Sequence, residues 1–201
     1  MVCEALSTLQ EKSKSIPFKK IERILAREYD DLYNQVFLRV QAEPLGTGAI
    51  AQVHRADILL DGKVSPVAVK VVRPGVQNTI EIDLLILRVG AWMIDAIMPG
   101  ARWLSLPEEV QIFSAMMHDQ LDMRREAQNL SQFRSNFQQS TEVSFPVPIL
   151  SLTRQNVLVE SFENALPISS ILNIDKQVHD HKIADMLLHM FLVWAFLVFV
   201  F

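Results

Sequence analysis

The chain has 201 residues, half of them apolar, with a formal charge of −4 and one cysteine, Cys3. That length holds one sizeable core or a two-lobed domain, and the composition excludes a disordered chain. The acidic balance and the scattered basic residues argue against nucleic acid as a partner, and one cysteine excludes an internal disulfide.

The first residues, MVCEALSTLQEK, carry neither a basic n-region nor a long apolar run, and Glu4 and Glu11 do not suit a mitochondrial presequence. Residues 17–40 read as a helix, with Pro17 near its start and Ile21, Ile24, Leu25, Leu32 and Val36 at helical spacing. Residues 41–60 and 64–73 read as strands around Asp61-Gly62, the strongest short hairpin signal in the chain. A helix follows over about 76–97, between Pro74-Gly75 and Pro99-Gly100. A longer helix starts near Leu106-Pro107-Glu108-Glu109, where proline and acids suit a first turn, and runs to about Phe137. Val147–Leu152 and Val157–Phe162 read as short strands around the polar turn Thr153–Asn156, and a last helix begins near Asp175. This order predicts an α+β fold with one mainly antiparallel sheet. No repeat or low-complexity segment interrupts it.

The chemistry concentrates in residues 44–74. The turn Gly46-Thr47-Gly48-Ala49-Ile50-Ala51 between strand runs can bring backbone N–H groups close to phosphate oxygens. Twenty-two residues after Gly48, Val67-Ala68-Val69-Lys70 sets an ammonium inside a β-branched run. Protein kinases hold ATP with such a pair, a glycine loop over the phosphates and a strand lysine beneath. The pattern demands a carboxylate downstream to hold the lysine, and a metal-binding acid further on.

Glu126 answers the first demand. Met116, Met123, Leu130, Phe133 and Phe137 form an apolar stripe on the long helix, and Glu126 falls on it, three residues after Met123 and four before Leu130. A carboxylate facing a core needs a partner, because burying it unpaired costs several kcal/mol. Lys70, among Val67, Val69, Val71 and Val72, has the same difficulty. Two readings stand: an ion pair between them, or Lys70 leaving an edge strand for solvent with Glu126 curled outward. Asp122, one turn before Glu126, would repel it, and Arg125 could relieve that charge. Asp119, Asp122, Arg124 and Arg125 otherwise read as a solvated face. The histidines (54, 118, 179, 181 and 189) have no metal-ligand spacing, and the His179–Asp185 cluster reads as a wet helix start. Trp92, Trp103 and Trp194 read as core or interface residues.

In combination, Ala51-Gln52-Val53-His54-x-Ala56, Val67-Ala68-Val69-Lys70-Val71-x-x-Pro74-Gly75-Val76, Asp122-x-x-x-Glu126-Ala127-x-Asn129 and Val157-Leu158-Val159-Glu160 carry a resemblance. Over roughly residues 3–190 the chain resembles the UbiB family of atypical, protein-kinase-like proteins, also called aarF-domain-containing kinases. Pro99-Gly100-x-x-Trp103-Leu104-Ser105-Leu106-Pro107 and Gln128-Asn129-Leu130 look closest to a mitochondrial eukaryotic branch. The resemblance implies three parts: an N-terminal helical extension (1–40), a kinase-like N-lobe with an extra helix before the glutamate-bearing one (41–165), and the start of a C-lobe (166–201). It implies ATP or ADP with Mg as cofactor, with Gly46, Thr47, Gly48, Ala49 and Ala51 as the phosphate loop and Lys70 on the α/β-phosphates. Glu126 would orient Lys70 with support from Asp122, and Glu160, Ser161 and Phe162 would belong to the hinge that meets adenine. It further implies an ATP-dependent kinase-like activity supporting coenzyme Q synthesis and mitochondrial lipid homeostasis.

The chain departs from the family pattern in four places. Two glycines stand where the family often has alanines, which predicts a looser loop. Gln120 replaces the glutamate of a Glu-x-Asp pair. The upstream Lys-x-Gly-Gln helix is missing. No His-x-Asp-Leu-His-Pro-Gly-Asn or Asp-Phe-Gly follows Glu160, so the expected metal ligands are absent and the domain reads as catalytically incomplete. The alternative is a non-catalytic, membrane-associated or partner-binding module. The apolar run 183–201 fits a buried C-lobe helix or, at about 28 Å, a membrane anchor.

Overall fold

The computed structural model describes residues 14–165 except Glu142. The expected last helix, the His179–Asp185 cluster and the apolar run 183–201 lie outside the described residues. Two compact units are distinguished, Met1–Gln138 with Phe145–Phe162 and Gln139–Ser144 with Glu163–Phe201. The fold below is that of the first.

Helix α1 (Phe18–Tyr29) begins after Pro17 and packs Ile21, Leu25 and Tyr29 inward at helical spacing. A 3-10 turn (Asp30–Leu32) and a one-turn helix, α2 (Tyr33–Val36), follow. Strand β1 (Phe37–Thr47) starts where the sequence predicted helix. Strands β2 (Ala51–Leu60) and β3 (Lys63–Val72) form a continuous hairpin on the Asp61-Gly62 turn, whose residues both have positive φ (50° and 75°). Strand β4 (Val157–Ser161) pairs antiparallel with β3, giving the order β1-β2-β3-β4. Residues 145–149 run beside β4 through a bridge between Pro148 and Glu160. Pro44 is tolerated because β1 is an edge strand, and the register shifts on both sides of it.

Both faces of the sheet are covered, which is why β3 reads as an almost unbroken valine run. Val67, Val69 and Val71 point to one face and join Ile21, Leu25, Tyr29, Ile58 and Val159 in the main core. Ala68, Lys70 and Val72 alternate onto the other face, where Val72 packs with Met123, Ala127 and Leu158. Two polar side chains sit inside the main face. Gln52 accepts from the Ile16 amide at 2.8 Å and donates to His54 Nε2 at 2.9 Å; His54 Nδ1 donates to the Gln41 carbonyl at 2.8 Å. Burial pushes the imidazole below its ordinary pKa, so this relay holds a neutral histidine. It ties the segment before α1 to the sheet. The Tyr29 hydroxyl donates to the Leu152 carbonyl, and burial pushes the phenol upward.

Helix α3 (Val76–Ile97) starts at Gly75, whose φ of 84° suits glycine. A 3-10 turn (Pro99–Leu104) leads to α4 (Leu106–Gln120). The long helix read from sequence is two helices: α5 spans Met123–Asn136, and Leu121-Asp122 separates it from α4. No glycine or proline marks the break. Asp122 adopts an extended conformation (φ −97°, ψ 103°) and caps α5 by accepting from the Arg124 amide at 2.9 Å. Leu121 and Met123 on either side are buried, and the Met123 amide donates to the Gln155 carbonyl at 2.9 Å. The apolar stripe is cut accordingly: Met116 is exposed, while Met123 and Phe137 are buried. Phe145 stacks on Phe133 with centroids 5.6 Å apart. Trp92 and Trp103 are exposed, not core residues.

Candidate functional site

Between the β1–β2 loop and α5 lies a groove of about 840 Å³ lined by Gly46 to Ala51, Val53, Lys70, Met123, Glu126 and neighbouring polar residues. Strand alternation places Lys70 there. It stands opposite Val53 on β2 and Leu158 on β4, so its strand is interior rather than an edge, and its side chain leaves by the α5 face. Helix α5 supplies Glu126 in its first turn. The structure brings the two together, with Nζ 2.6 Å from Oε1. Both remain partly open to solvent, at 30% and 40% of their side-chain surface, so a ligand can reach the ammonium without unfolding anything.

The loop is braced from behind. The Gly48 amide donates to the Ala51 carbonyl at 2.8 Å, and the Arg73 amide donates to the Ile50 carbonyl at 2.8 Å. The Arg73 guanidinium reaches the Gly48 carbonyl at 2.9 Å and the Lys14 carbonyl at 2.7 Å. Among the described residues no hydrogen bond from the tip amides of Ala49 and Ile50 to another backbone group is seen, and both residues line the groove that holds Lys70. Neither Gly46 nor Gly48 is left-handed. A Cβ on Gly46 would meet nothing within 4 Å, and one on Gly48 only the Ala51 carbonyl at 3.4 Å. This backbone accepts alanine at both positions, so the two glycines add local freedom without being demanded by the loop's shape.

Asp122 lies apart from the lysine. Its carboxylate forks onto Arg124, with Oδ2 2.7 Å from Nη2 and Oδ1 2.9 Å from Nε. The Arg124 guanidinium holds its carboxyl below the usual range. The relief of Asp122 comes first from the hydrogen bond to Arg124, with the charge of Arg125 adding a smaller share. Asp122 serves the site as the cap that starts α5, one turn before Glu126. Glu160 and Ser161 end β4, Phe162 follows it, and none of the three is among the groove's described lining. The Ser161 amide donates to the Val147 carbonyl at 2.9 Å, the Phe162 amide to the Pro66 carbonyl at 3.3 Å, and Arg55 sits 4.6 Å above the Phe162 ring.

Four lining residues were read from sequence as solvated or given no role. Asp119, Gln120, Arg125 and Gln128 all border the groove, and Arg125 Nε lies 3.7 Å from Asp119 Oδ1. Asn129, quoted in the motif around Glu126, lines it as well. Arg125, Gln128 and Asn129 neighbour Glu126 in the first turns of α5, and the break at Leu121 brings in Asp119 and Gln120 from the end of α4. Chemically, the arrangement offers a held ammonium, a second cation and two tip amides in one cleft. That donor set fits the phosphates of a nucleotide. Among the described residues no group of three or more His, Cys, Asp or Glu could hold a metal ion.

Known proteins share this architecture. The description of the ABC1 atypical kinase-like domain matches residues 8–201. A "Probable serine/threonine-protein kinase abkC" of Dictyostelium discoideum is 36% identical over 173 residues, covering 86% of this chain and 24% of that protein. "ABC1 family protein YPL109C, mitochondrial" of Saccharomyces cerevisiae is 34% identical over 201 residues, covering 92% and 29%. "Probable protein kinase UbiB" of Cellvibrio japonicus is 36% identical over 169 residues, covering 83% and 30%. The chain therefore spans about a quarter to a third of the length of these relatives. A Mycobacterium tuberculosis protein solved in complex with erythromycin shares the fold, with a TM-score of 0.67 and 23% identity over 85% of this chain and 41% of that one. On an interior-strand lysine held by a helix glutamate, and on a family match spanning almost its whole length, the chain belongs to the ABC1 atypical kinase-like family.

Proposed function

We propose that the groove binds a nucleotide, ATP or ADP with Mg, and that the chain is the nucleotide-holding N-lobe of a UbiB-type kinase-like ATPase. One observation carries the reading: Lys70 stands 2.6 Å from Glu126 beneath a loop whose tip amides, those of Ala49 and Ile50, make no hydrogen bond to another backbone group among the described residues. Lys70 meets the α/β-phosphates, Glu126 keeps it extended, and Gly46, Thr47, Gly48, Ala49 and Ala51 close over them. Adenine falls to the end of β4 at Glu160, Ser161 and Phe162. Bound Mg neutralises phosphate charge, and this reading assigns it no ligand among the described residues. A relative named as mitochondrial supports a mitochondrial location, and the resemblance to UbiB proteins supports a role in coenzyme Q biosynthesis and lipid homeostasis.

The test is a melting experiment. Ligand at a hundred times its Kd stabilises a fold by about 2.7 kcal/mol, a shift of several degrees for a domain of this size. Mg-nucleotide should raise the melting temperature of the parent chain, and Lys70→Ala should remove that rise. No shift in the parent at millimolar nucleotide sinks the reading.

A second reading, a non-catalytic module bound to a partner or membrane, is favoured by the apolar surface of α3 and α4. Ile86, Trp92 and Ile97 on α3, Trp103 in the turn between the helices, and Ile112 and Met116 on α4 are all exposed. Residues 183–201, outside the described residues, were read as a further lipid contact. Among the described residues no helix is long and apolar enough to cross a membrane. This reading predicts recovery in the membrane fraction that is lost on deleting residues 186–201; a soluble, monomeric chain counts against it.

A further inference from the structure

A second cleft, of about 350 Å³, opens where β3 turns into α3, and it shares no described lining residue with the nucleotide groove. Three arginines line it: Arg23 and Arg27 from α1, and Arg73 from the end of β3. Gln77, Asn78 and Asn156 add amide groups, and no carboxylate is among the described lining residues. In a chain of net charge −4 that is a marked local reversal. On α1 the positive charges stand in a row, Lys19, Arg23 and Arg27, each one turn after the last. Like charges at that spacing repel; Glu22 falls three residues after Lys19 and Glu28 directly after Arg27, and neither is among the cleft's described lining residues.

The neighbouring acid does not cancel the row. Glu28 Oε1 approaches Arg27 Nη2 only to 4.0 Å and accepts from Asn156 Nδ2 at 2.7 Å. It fixes Asn156 at the cleft wall and leaves the guanidinium of Arg27 largely in solvent, 80% exposed. Arg73 is held in place by two backbone carbonyls, those of Gly48 and Lys14. Both terminal nitrogens of Arg73 are thereby engaged, so the guanidinium groups offered to a ligand are those of Arg23 and Arg27. Arg23 and Arg27 on α1 thus line a cleft to which Gln77, Asn78 and Asn156 contribute amide side chains. Guanidinium forks match phosphate oxygens two at a time, which a carboxylate-free wall favours further.

We propose that this cleft binds a phosphate group, as a free phosphate-bearing small molecule or as a phospholipid headgroup. The volume is at the low end for ligand sites, which fits a phosphomonoester with a small organic remainder. The site stands on its own residues and does not depend on the nucleotide reading.

Inorganic phosphate is the first probe, titrated into the full chain at constant ionic strength while amide NMR signals are followed. Saturable shifts at Gln77, Asn78 and Asn156 are expected, and potassium chloride at equal ionic strength should not reproduce them. Replacing both helix arginines, Arg23→Gln with Arg27→Gln, should weaken the apparent affinity about tenfold or more. Both side chains are exposed, so the thermal melt should hold. Lys70→Ala should leave the shifts unchanged, which separates this site from the nucleotide groove. Vesicles of phosphatidylcholine with phosphatidic acid form the second arm: co-sedimentation displaced by inorganic phosphate assigns the headgroup, and saturation by phosphate without co-sedimentation assigns the free ligand. Shifts equal to those from chloride, shifts indifferent to the two arginine changes, or shifts abolished by Lys70→Ala would each overturn the proposal.

Discussion

The four-stranded sheet and the α3–α4 helix pair are both written in strongly apolar sequence, and they dispose of it in opposite ways. In the sheet, Ile58, Val69, Val71, Val157 and Val159 are fully buried between α1 on one face and α5 on the other. In the helix pair, only Leu84, Ala91 and Ser114 are buried, while Ile86, Trp92 and Ile97 are 64%, 67% and 77% exposed. Apolar composition alone thus says nothing of where stability resides. The sheet holds the lysine–glutamate geometry; the helix pair touches the groove only through Asp119 and Gln120 at the end of α4.

The widest gap between the two regions should appear on truncation. Ile58→Ala or Leu158→Ala removes a fully buried side chain and should cost about 2–5 kcal/mol in denaturant melts, whereas Ile86→Ala should stay within about 0.5 kcal/mol. Equal costs would show that the helix pair has a core of its own. Next in size is the cap between them. Asp122→Ala removes the acceptor for the Arg124 amide and should cost about 1 kcal/mol, with weaker nucleotide binding because α5 then frays next to Glu126. Asp122→Asn, which still caps, should restore most of both.

Smaller still is the tie inside the helix pair. His118 Nε2 donates to Glu81 at 2.5 Å and Nδ1 to the Ser114 carbonyl at 2.6 Å, and the hydrogen bond to Glu81 raises the imidazole pKa above 6.5. Arg88, the other charge near it, opposes that rise. A raised pKa in the folded state means the bridge is fully present below the unfolded value and is lost as pH climbs through the folded one. Because the pair is half exposed, the loss should be under about 1 kcal/mol. Hydrogen exchange of α3 amides should therefore quicken above neutral pH, and His118→Gln should flatten that dependence. The smallest effect concerns the loop: Gly46→Ala and Gly48→Ala should leave stability unchanged or raise it by about 0.4–1 kcal/mol. Gly75→Ala, at φ 84°, should lower it by about 1 kcal/mol.

What the sequence made legible was local. Asp61-Gly62 demands a tight hairpin, and Pro74-Gly75 and Pro99-Gly100 bracket α3, so those elements fall where turn chemistry puts them. The misreadings arose where a distant partner decides. Val36 continues the helical period of α1, yet Phe37 enters a strand because it meets Ile58 on β2. The break before α5 was hidden because its causes are an Asp side chain folding onto its own helix and a bond to Gln155 far along the chain. Lys70 and Glu126 could be singled out because each is awkward alone. The brace of Arg73 on Gly48 could not, since an arginine before a proline carries no local sign of what it will hold.

The hydrogen bond from Met123 to Gln155 has a mechanical meaning. It anchors the first residue of α5 to the loop that leads into β4, so the glutamate's reference frame is the sheet and not the helix that precedes it. The α3–α4 pair hangs from a joint at Leu121. A change in its tilt or surface need not alter the reach from Glu126 to Lys70.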